Sequence, residues 1–65
     1  MPNETELQAA RRDISEGEEL VRNQNATIDA LPPGQAREDA VALIGALEEE
    51  LRLHRERLAK LLNSN

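Results

Sequence analysis

Apolar side chains recur at heptad spacing on both sides of a Pro-Pro-Gly segment at 32–34. Steps of three and four residues place one narrow apolar stripe on each of two helices, and such a stripe requires a partner helix. Two prolines remove backbone donors and disfavour helical geometry in the preceding residue, so this segment ends the first helix and lets the chain reverse. We call the two stripes together the seam; its members are Leu7, Ala10, Ile14, Gly17, Val21, Gln24, Ile28 and Leu31, then Ala40, Ile44, Leu47, Leu51, His54, Leu58 and Leu61.

The pattern predicts an all-α fold, an antiparallel two-helix hairpin of the coiled-coil type that forms one domain over 1–65. Asn3 and Glu6 match a capping box at the start of the first helix. Pro33 suits the first position of the second helix, where its missing N–H costs nothing. The predicted segments are helix 1 at about 3–31, the Pro-Pro-Gly turn at 32–34, helix 2 at about 34–62 and a frayed tail at 63–65.

The position of the turn also predicts how the helices pair. A turn centred near Gly34 brings residues whose numbers sum to about 68 level with each other. Gly17 then faces Leu51, so a small side chain opposes a large one, as an interdigitated seam requires. On the flank of the seam, Asp13 should lie near Arg57.

Two seam residues are polar, Gln24 and His54. Gln24 can be explained as a device that fixes register and oligomeric state, and equally as a polar spacer. His54 could act as a pH switch or, with Glu50 one turn earlier, as a metal ligand. One histidine and one glutamate are too few for a metal site in one chain. We therefore favour a partly buried imidazole bonded to a neighbour or to water, and we predict no metal or cofactor.

Further apolar side chains lie beside the seam when Leu7 and Ile44 are placed at heptad position a. In an antiparallel pair, the g positions of both helices lie on the same side of the hairpin. A stripe wider than a and d is typical of helices in a bundle, so we expect two hairpins to stack into a four-helix bundle. The alternative is that these are ordinary scattered surface leucines. The candidate interface residues are Leu20 and Leu43 at g, Ala46 and Leu53 at c, and Val41 and Leu62 at e.

Composition also favours association. With 65 residues and no aromatic side chain, the chain can build only a thin core. Without cysteine it has no disulfide or thiolate metal site to hold the fold together. Small scaffolds of this kind usually depend on oligomerisation or on well-packed helices. We therefore expect a homodimer, with another protein as a second kind of partner.

The charge distribution weakens the main alternative function. The formal net charge is −5, and the first 33 residues carry seven acidic and three basic side chains. Such a chain is poorly suited to nucleic acid, whose phosphates must be neutralised. Many of the charges are expected in intrahelical pairs such as Glu48–Arg52. The alternative, a dimeric hairpin that binds structured RNA or DNA, would use a C-terminal basic patch of Arg52, Arg55, Arg57 and Lys60.

Other classes of function lack a basis in the residues. There is no nucleophile–base set, phosphate loop or multi-ligand metal pattern, and two helices without aromatics lack the concavity that a small-molecule substrate needs. No apolar stretch approaches the ~20 residues of a transmembrane helix. The first four residues lack the basic and apolar regions of a signal peptide. We therefore predict a non-enzymatic, cytoplasmic protein–protein interaction or assembly module that self-associates through a leucine-rich face.

Two short stretches carry a resemblance to a known group of proteins. Residues 12–18, Arg-Asp-Ile-Ser-Glu-Gly-Glu, contain an I-x-E-G-E pattern and are followed by Gln24, and residues 51–54 are Leu-Arg-Leu-His. In these stretches the chain resembles short helical-hairpin proteins of alphaproteobacteria, although its Pro-Pro-Gly turn departs from the Gly-His or Gly-Asp turns of that group. The resemblance implies a cytosolic bacterial hairpin and no particular function. The plan is also similar to the dimeric RNA-binding hairpins of plasmid copy control, by fold alone.

Overall fold

The predicted helical hairpin is confirmed by a computed structural model, which describes residues 4–63. Helix α1 spans Glu6–Ala30 and helix α2 spans Gln35–Asn63, and these are the secondary-structure elements of the described part of the chain. The two helices pack side by side along their length, and the molecule measures 48 × 25 × 12 Å. The smallest dimension equals the diameter of one helix with its side chains, about 10–12 Å. The hairpin is therefore a ribbon one helix thick.

Helix α1 starts later than predicted and uses a different cap. Thr5 is the N-cap: its hydroxyl accepts a bond from the Gln8 backbone N–H at 3.1 Å. The Gln8 side chain in turn accepts from the Thr5 backbone N–H at 3.0 Å, which completes a capping box. The prediction that Asn3 and Glu6 form this box is wrong for Glu6, which is the first helical residue; Asn3 lies outside the described residues.

The turn also differs in detail from the prediction. The Leu31 N–H bonds back to the Ile28 carbonyl at 3.1 Å and closes α1 in extended geometry, as expected for a residue before proline. The Glu38 N–H bonds to the Gly34 carbonyl at 3.1 Å, which makes Gly34 the residue that precedes the first turn of α2. Pro33 is therefore outside α2, and not at its first position as predicted. Gly34 has φ 155°, which is accessible to glycine but strained for other residues.

The seam lies where the heptads predict it. Every predicted seam residue is at least half-buried, yet only two described residues are buried, Ala10 at 1% exposure and Leu51 at 5%. Gly17 faces Leu51 as predicted: a methyl group built on the Gly17 Cα would lie 3.0 Å from Leu51 Cδ1. The helices approach closely here because Gly17 has no side chain. The core is therefore one row of side chains between two helices.

Two interhelical ion pairs identify the two faces of the ribbon. Asp13 and Arg57, both at g, approach to 3.6 Å as predicted. Glu18 and Arg55, both at e, approach to 3.2 Å. Because g pairs with g and e pairs with e, the g positions form one face and the e positions form the other. We call them the g face and the e face.

Neither helix, over the residues described, is long and apolar enough to cross a membrane.

Candidate protein interaction surface

The g face carries a group of exposed apolar side chains near the middle of the hairpin. Leu20 projects from α1, and Leu43 and Leu53 project from α2, each between 49% and 53% exposed. Ala46, also exposed, lies between the two leucines of α2. Leu43 and Leu53 are ten residues apart, which is about 15 Å along the helix. We call this group of four residues the leucine surface.

Polar side chains border the leucine surface on the g face. Leu20 lies level with Glu50, and both line a shallow depression of about 190 Å³ beside Gly17. At one end of the surface is the Asp13–Arg57 ion pair. At the other end, Asp39 in the first turns of α2 accepts a bond from the Gln35 side chain at 2.8 Å. Polar groups thus border the leucine surface at both ends, as in many protein–protein interfaces, and one carboxylate, Glu50, lies within it between Ala46 and Leu53.

The e face has no comparable group. Val41 and Leu62 are about half exposed, but 21 residues separate them, or about 31 Å along α2. Between them lie the Glu18–Arg55 ion pair and the exposed Glu48. The structure therefore places Leu20, Leu43, Ala46 and Leu53 on one face within about 15 Å along the helices, and leaves Val41 and Leu62 about 31 Å apart. That either group of residues forms an interface stays a prediction.

The two polar seam residues are placed differently. The Gln24 side-chain amide donates to the Ala40 backbone carbonyl at 3.3 Å, which ties α1 to the start of α2. This bond can form only near the observed register, in keeping with a registering role. His54 is half-buried and lines the depression that contains Gly17, Glu50 and Leu51. No three His, Cys, Asp or Glu side chains within residues 4–63 are grouped so that they could hold a metal ion.

The three arginines of the predicted basic patch are all engaged by carboxylates. Arg52 bonds to Glu49 and to Glu56 on its own helix, and not to Glu48 as predicted. Arg55 and Arg57 take part in the interhelical ion pairs described above. Lys60 also has an interaction partner. A phosphate would have to displace these carboxylates, so the structure provides no preformed anion site in this segment.

The Arg52 pair also changes how its carboxylate titrates. The hydrogen bond from Arg52, together with its positive charge, lowers the pKa of Glu49 below the usual value. The same hydrogen bond and the charge of Glu49, then that of Glu56, raise the pKa of Arg52. All three side chains are exposed, so we assign this cluster to the solvated surface of α2.

The sequence pattern alone did not indicate which polar residues accompany the leucine surface. It suggests a pairing with His54 for Glu50 and no role for Asp39. Their heptad positions, g for Glu50 and c for Asp39, are sufficient to place both on the g face.

No family model, curated protein or solved structure matches this chain.

Proposed function

We propose that this protein is a protein–protein interaction module that assembles as a homodimer. In this proposal the leucine surfaces of two hairpins pack against each other and complete a four-helix bundle. The module has no catalytic role, and its remaining surface, mostly acidic on α1, is available to a further protein. The proposal rests mainly on one observation: the described hairpin has two buried residues and three half-exposed leucines on one face.

The thin core is the first argument. A ribbon one helix thick buries only the side of each helix that faces its neighbour. Most helix stability in proteins comes from packing of an apolar face, because isolated helices are marginal in water. A second hairpin on the g face would convert a two-layer contact into a bundle with an interior. Folding and association are then expected to be coupled, as in many obligate dimers.

The second argument is the magnitude of the burial. Full burial of a leucine side chain is worth about 1.5–3 kcal/mol, so completing the burial of a half-exposed leucine is worth about half of that. A dimer would gain this from Leu20, Leu43 and Leu53 in each copy. Association costs an estimated 4–15 kcal/mol in lost freedom. The six leucines would together contribute about 4.5–9 kcal/mol, which offsets the lower part of that cost, and the other side chains of the g face must supply the remainder of the binding free energy.

Sedimentation equilibrium with parallel circular dichroism tests the proposal. The wild type should show twice the chain mass of 7.2 kDa and should lose helicity on dilution. The Leu43→Glu/Leu53→Glu double variant should be monomeric or unfolded. Val41→Glu/Leu62→Glu is the matched control, since it removes two side chains of equal exposure from the other face and changes the net charge equally. This control should remain a helical dimer.

A milder variant covers the case in which the glutamates simply prevent folding. Leu43→Ala/Leu53→Ala preserves helix propensity and removes the apolar contacts of four side chains in the dimer. It should raise the dissociation constant about 100-fold or more, because each 1.4 kcal/mol is tenfold. A wild type that stays monomeric and fully helical at high concentration contradicts the proposal. So does a Leu43→Glu/Leu53→Glu variant that remains a stable dimer.

A further inference from the structure

The relative direction of the two hairpins follows from the spacing of the leucine surface, if the proposed dimer is correct. The Asp13–Arg57 ion pair shows that g-face residues whose numbers sum to about 70 are level across the hairpin. Leu20 is then level with Glu50, in agreement with the depression that both residues line. These levels determine which side chains meet when a second copy is placed on the g face.

A two-fold axis in the plane of the interface allows two arrangements. If the axis runs along the helices, the turns lie at the same end and α2 of one copy covers α1 of the other. If the axis runs across the helices, the turns lie at opposite ends, α2 packs on α2, and α1 packs on α1. We call these the parallel and the crossed arrangement.

The crossed arrangement brings the leucines together. Leu43 lies five residues before Glu48 and Leu53 lies five residues after it, about 7.5 Å to either side. With the axis at the level of Glu48, Leu43 of each copy meets Leu53 of the other. Leu20 of α1 lies close to the same axis, about 3 Å from it along the helix, so the two copies of Leu20 meet as well.

The parallel arrangement pairs fewer of the leucines: Leu20 would lie about 4.5 Å along the helix from Leu53 of the second copy, but Leu43 would have no leucine near its level. Leu43 would then face Thr27 of the second copy, which is level with it. Leu53 would face Glu16, and Leu20 would face Glu50. The side chain level with each leucine would therefore be polar or charged. Two carboxylates in each copy, Glu16 and Glu50, would lose water without gaining a partner, whereas in the crossed arrangement only Glu50 lies near the axis.

Charges at the ends of the surface also favour the crossed arrangement. Arg57 lies nine residues after Glu48, and Asp39 lies nine residues before it. The crossed axis therefore brings Arg57 of each copy level with Asp39 of the other, at both ends of the interface. Complementary charges of this kind set the register of an interface more than they add affinity. In the crossed arrangement Arg57 is thus level with Asp39 of the second copy while it pairs with Asp13 of its own chain.

From this self-complementarity we propose that the dimer is crossed: two hairpins pack g face to g face with their turns at opposite ends and α2 against α2. The second copy is thus the partner for which the leucine surface is built. This inference rests on the proposed function, because it assumes that the leucine surface is a homodimer interface.

Distances between spin labels test the direction of the hairpins. The chain has no cysteine, so Gly45→Cys and Ala59→Cys each introduce one labelling site. Both positions are exposed and lie two heptads apart on the side of α2 away from the g face. In the crossed dimer, the two labels at 45 are offset along the helix by about 9 Å and the two at 59 by about 33 Å. In the parallel dimer, neither pair is offset.

The result separates the two proposals. A distance for the label at 59 that exceeds the distance for the label at 45 by 10 Å or more supports the crossed dimer. Equal distances in a sample that sediments as a dimer overturn the crossed arrangement and leave the homodimer intact. A labelled sample that sediments as a monomer overturns the proposed function itself. Labelled Val41→Glu/Leu62→Glu protein should reproduce the wild-type distances, since that variant leaves the g face unchanged.

Discussion

Replacing Gly17 by alanine puts a methyl group into the closest approach of the two helices. The new Cβ would lie 3.0 Å from Leu51 Cδ1, and 3.9 and 4.0 Å from Leu51 Cγ and Cβ. Carbon atoms pack best at about 3.5–4.0 Å, so two of these contacts are ordinary and one is too short. Leu51 is one of the two buried residues of the described chain, so its side chain cannot move without disturbing its neighbours.

Two opposing effects determine the change in stability. Alanine in place of a mid-helix glycine gains about 1 kcal/mol in helix propensity. Overpacking a tight seam by one methyl group costs about 1–3 kcal/mol. We expect the cost to prevail, so that Gly17→Ala lowers the free energy of unfolding by up to about 2 kcal/mol.

Gly45 provides a matched control in the other helix. It is also in mid-helix, but a Cβ built on it meets nothing within 4 Å. Gly45→Ala should therefore show the propensity gain alone, about 1 kcal/mol, or a rise in Tm of about 4–8 °C for a domain of this size. Urea and thermal unfolding followed by circular dichroism measure both variants, at one protein concentration because the proposed dimer makes Tm depend on it.

A double-mutant cycle with Leu51→Val identifies the origin of the penalty. Valine is shorter and leaves no atom at the Cδ1 position, so Gly17→Ala should recover its propensity gain in that background. The expected coupling free energy between positions 17 and 51 is about 1–3 kcal/mol. If Gly17→Ala stabilises the protein as much as Gly45→Ala does, the close approach of the helices at Gly17 is not a constraint and the reasoning fails.

Three further predictions concern the cap, an ion pair and the proposed interface. Thr5→Ala should lower the free energy of unfolding in urea by about 0.5–2 kcal/mol. Thr5→Ser should keep most of the wild-type value, because it retains the hydroxyl that caps α1. Equal losses for the alanine and serine variants would exclude a capping role. Carboxyl NMR should show Glu49 titrating below the usual pH range of glutamate. Since this pKa is lowered in the folded state, the stabilising pair is present above the unfolded-state pKa and is lost as the pH falls through the folded-state pKa. Arg52→Gln should return the titration to the ordinary range, and an unchanged titration would reject the pair as the cause. Glu50→Gln should strengthen the crossed dimer at low salt, because the two copies of this residue lie near the axis and repel each other. Glu48→Gln on the e face should leave the dimer unchanged. Equal dissociation constants for the two variants, measured by sedimentation equilibrium, would reject that placement of Glu50.

Much of the fold was predictable because helix periodicity acts locally. The heptads predicted the seam, the contact between Gly17 and Leu51, and the Asp13–Arg57 ion pair. Each of these depends only on the angular position of a residue on its helix and on the place of the turn. The prolines determine that place, since they remove donors wherever the rest of the chain lies.

The caps and the ion-pair partners required the tertiary structure. Thr5 and Asn3 are both good N-caps within one turn, and their competition depends on small differences in free energy. Arg52 has carboxylates within one turn on both sides, each pair worth a few tenths of a kcal/mol, so heptad spacing could not select Glu49 over Glu48.

For the leucine surface, sequence and structure contribute different parts. The heptad places Leu20 and Leu43 at g and Leu53 at c, because heptad position follows from counting residues. That these side chains are half exposed follows only from the packed hairpin. The exposure of a side chain depends on how closely the two helices approach and in which register. That approach is decided by packing at Gly17 and Leu51, and by the bond from Gln24 to Ala40, all of which join residues distant in the chain.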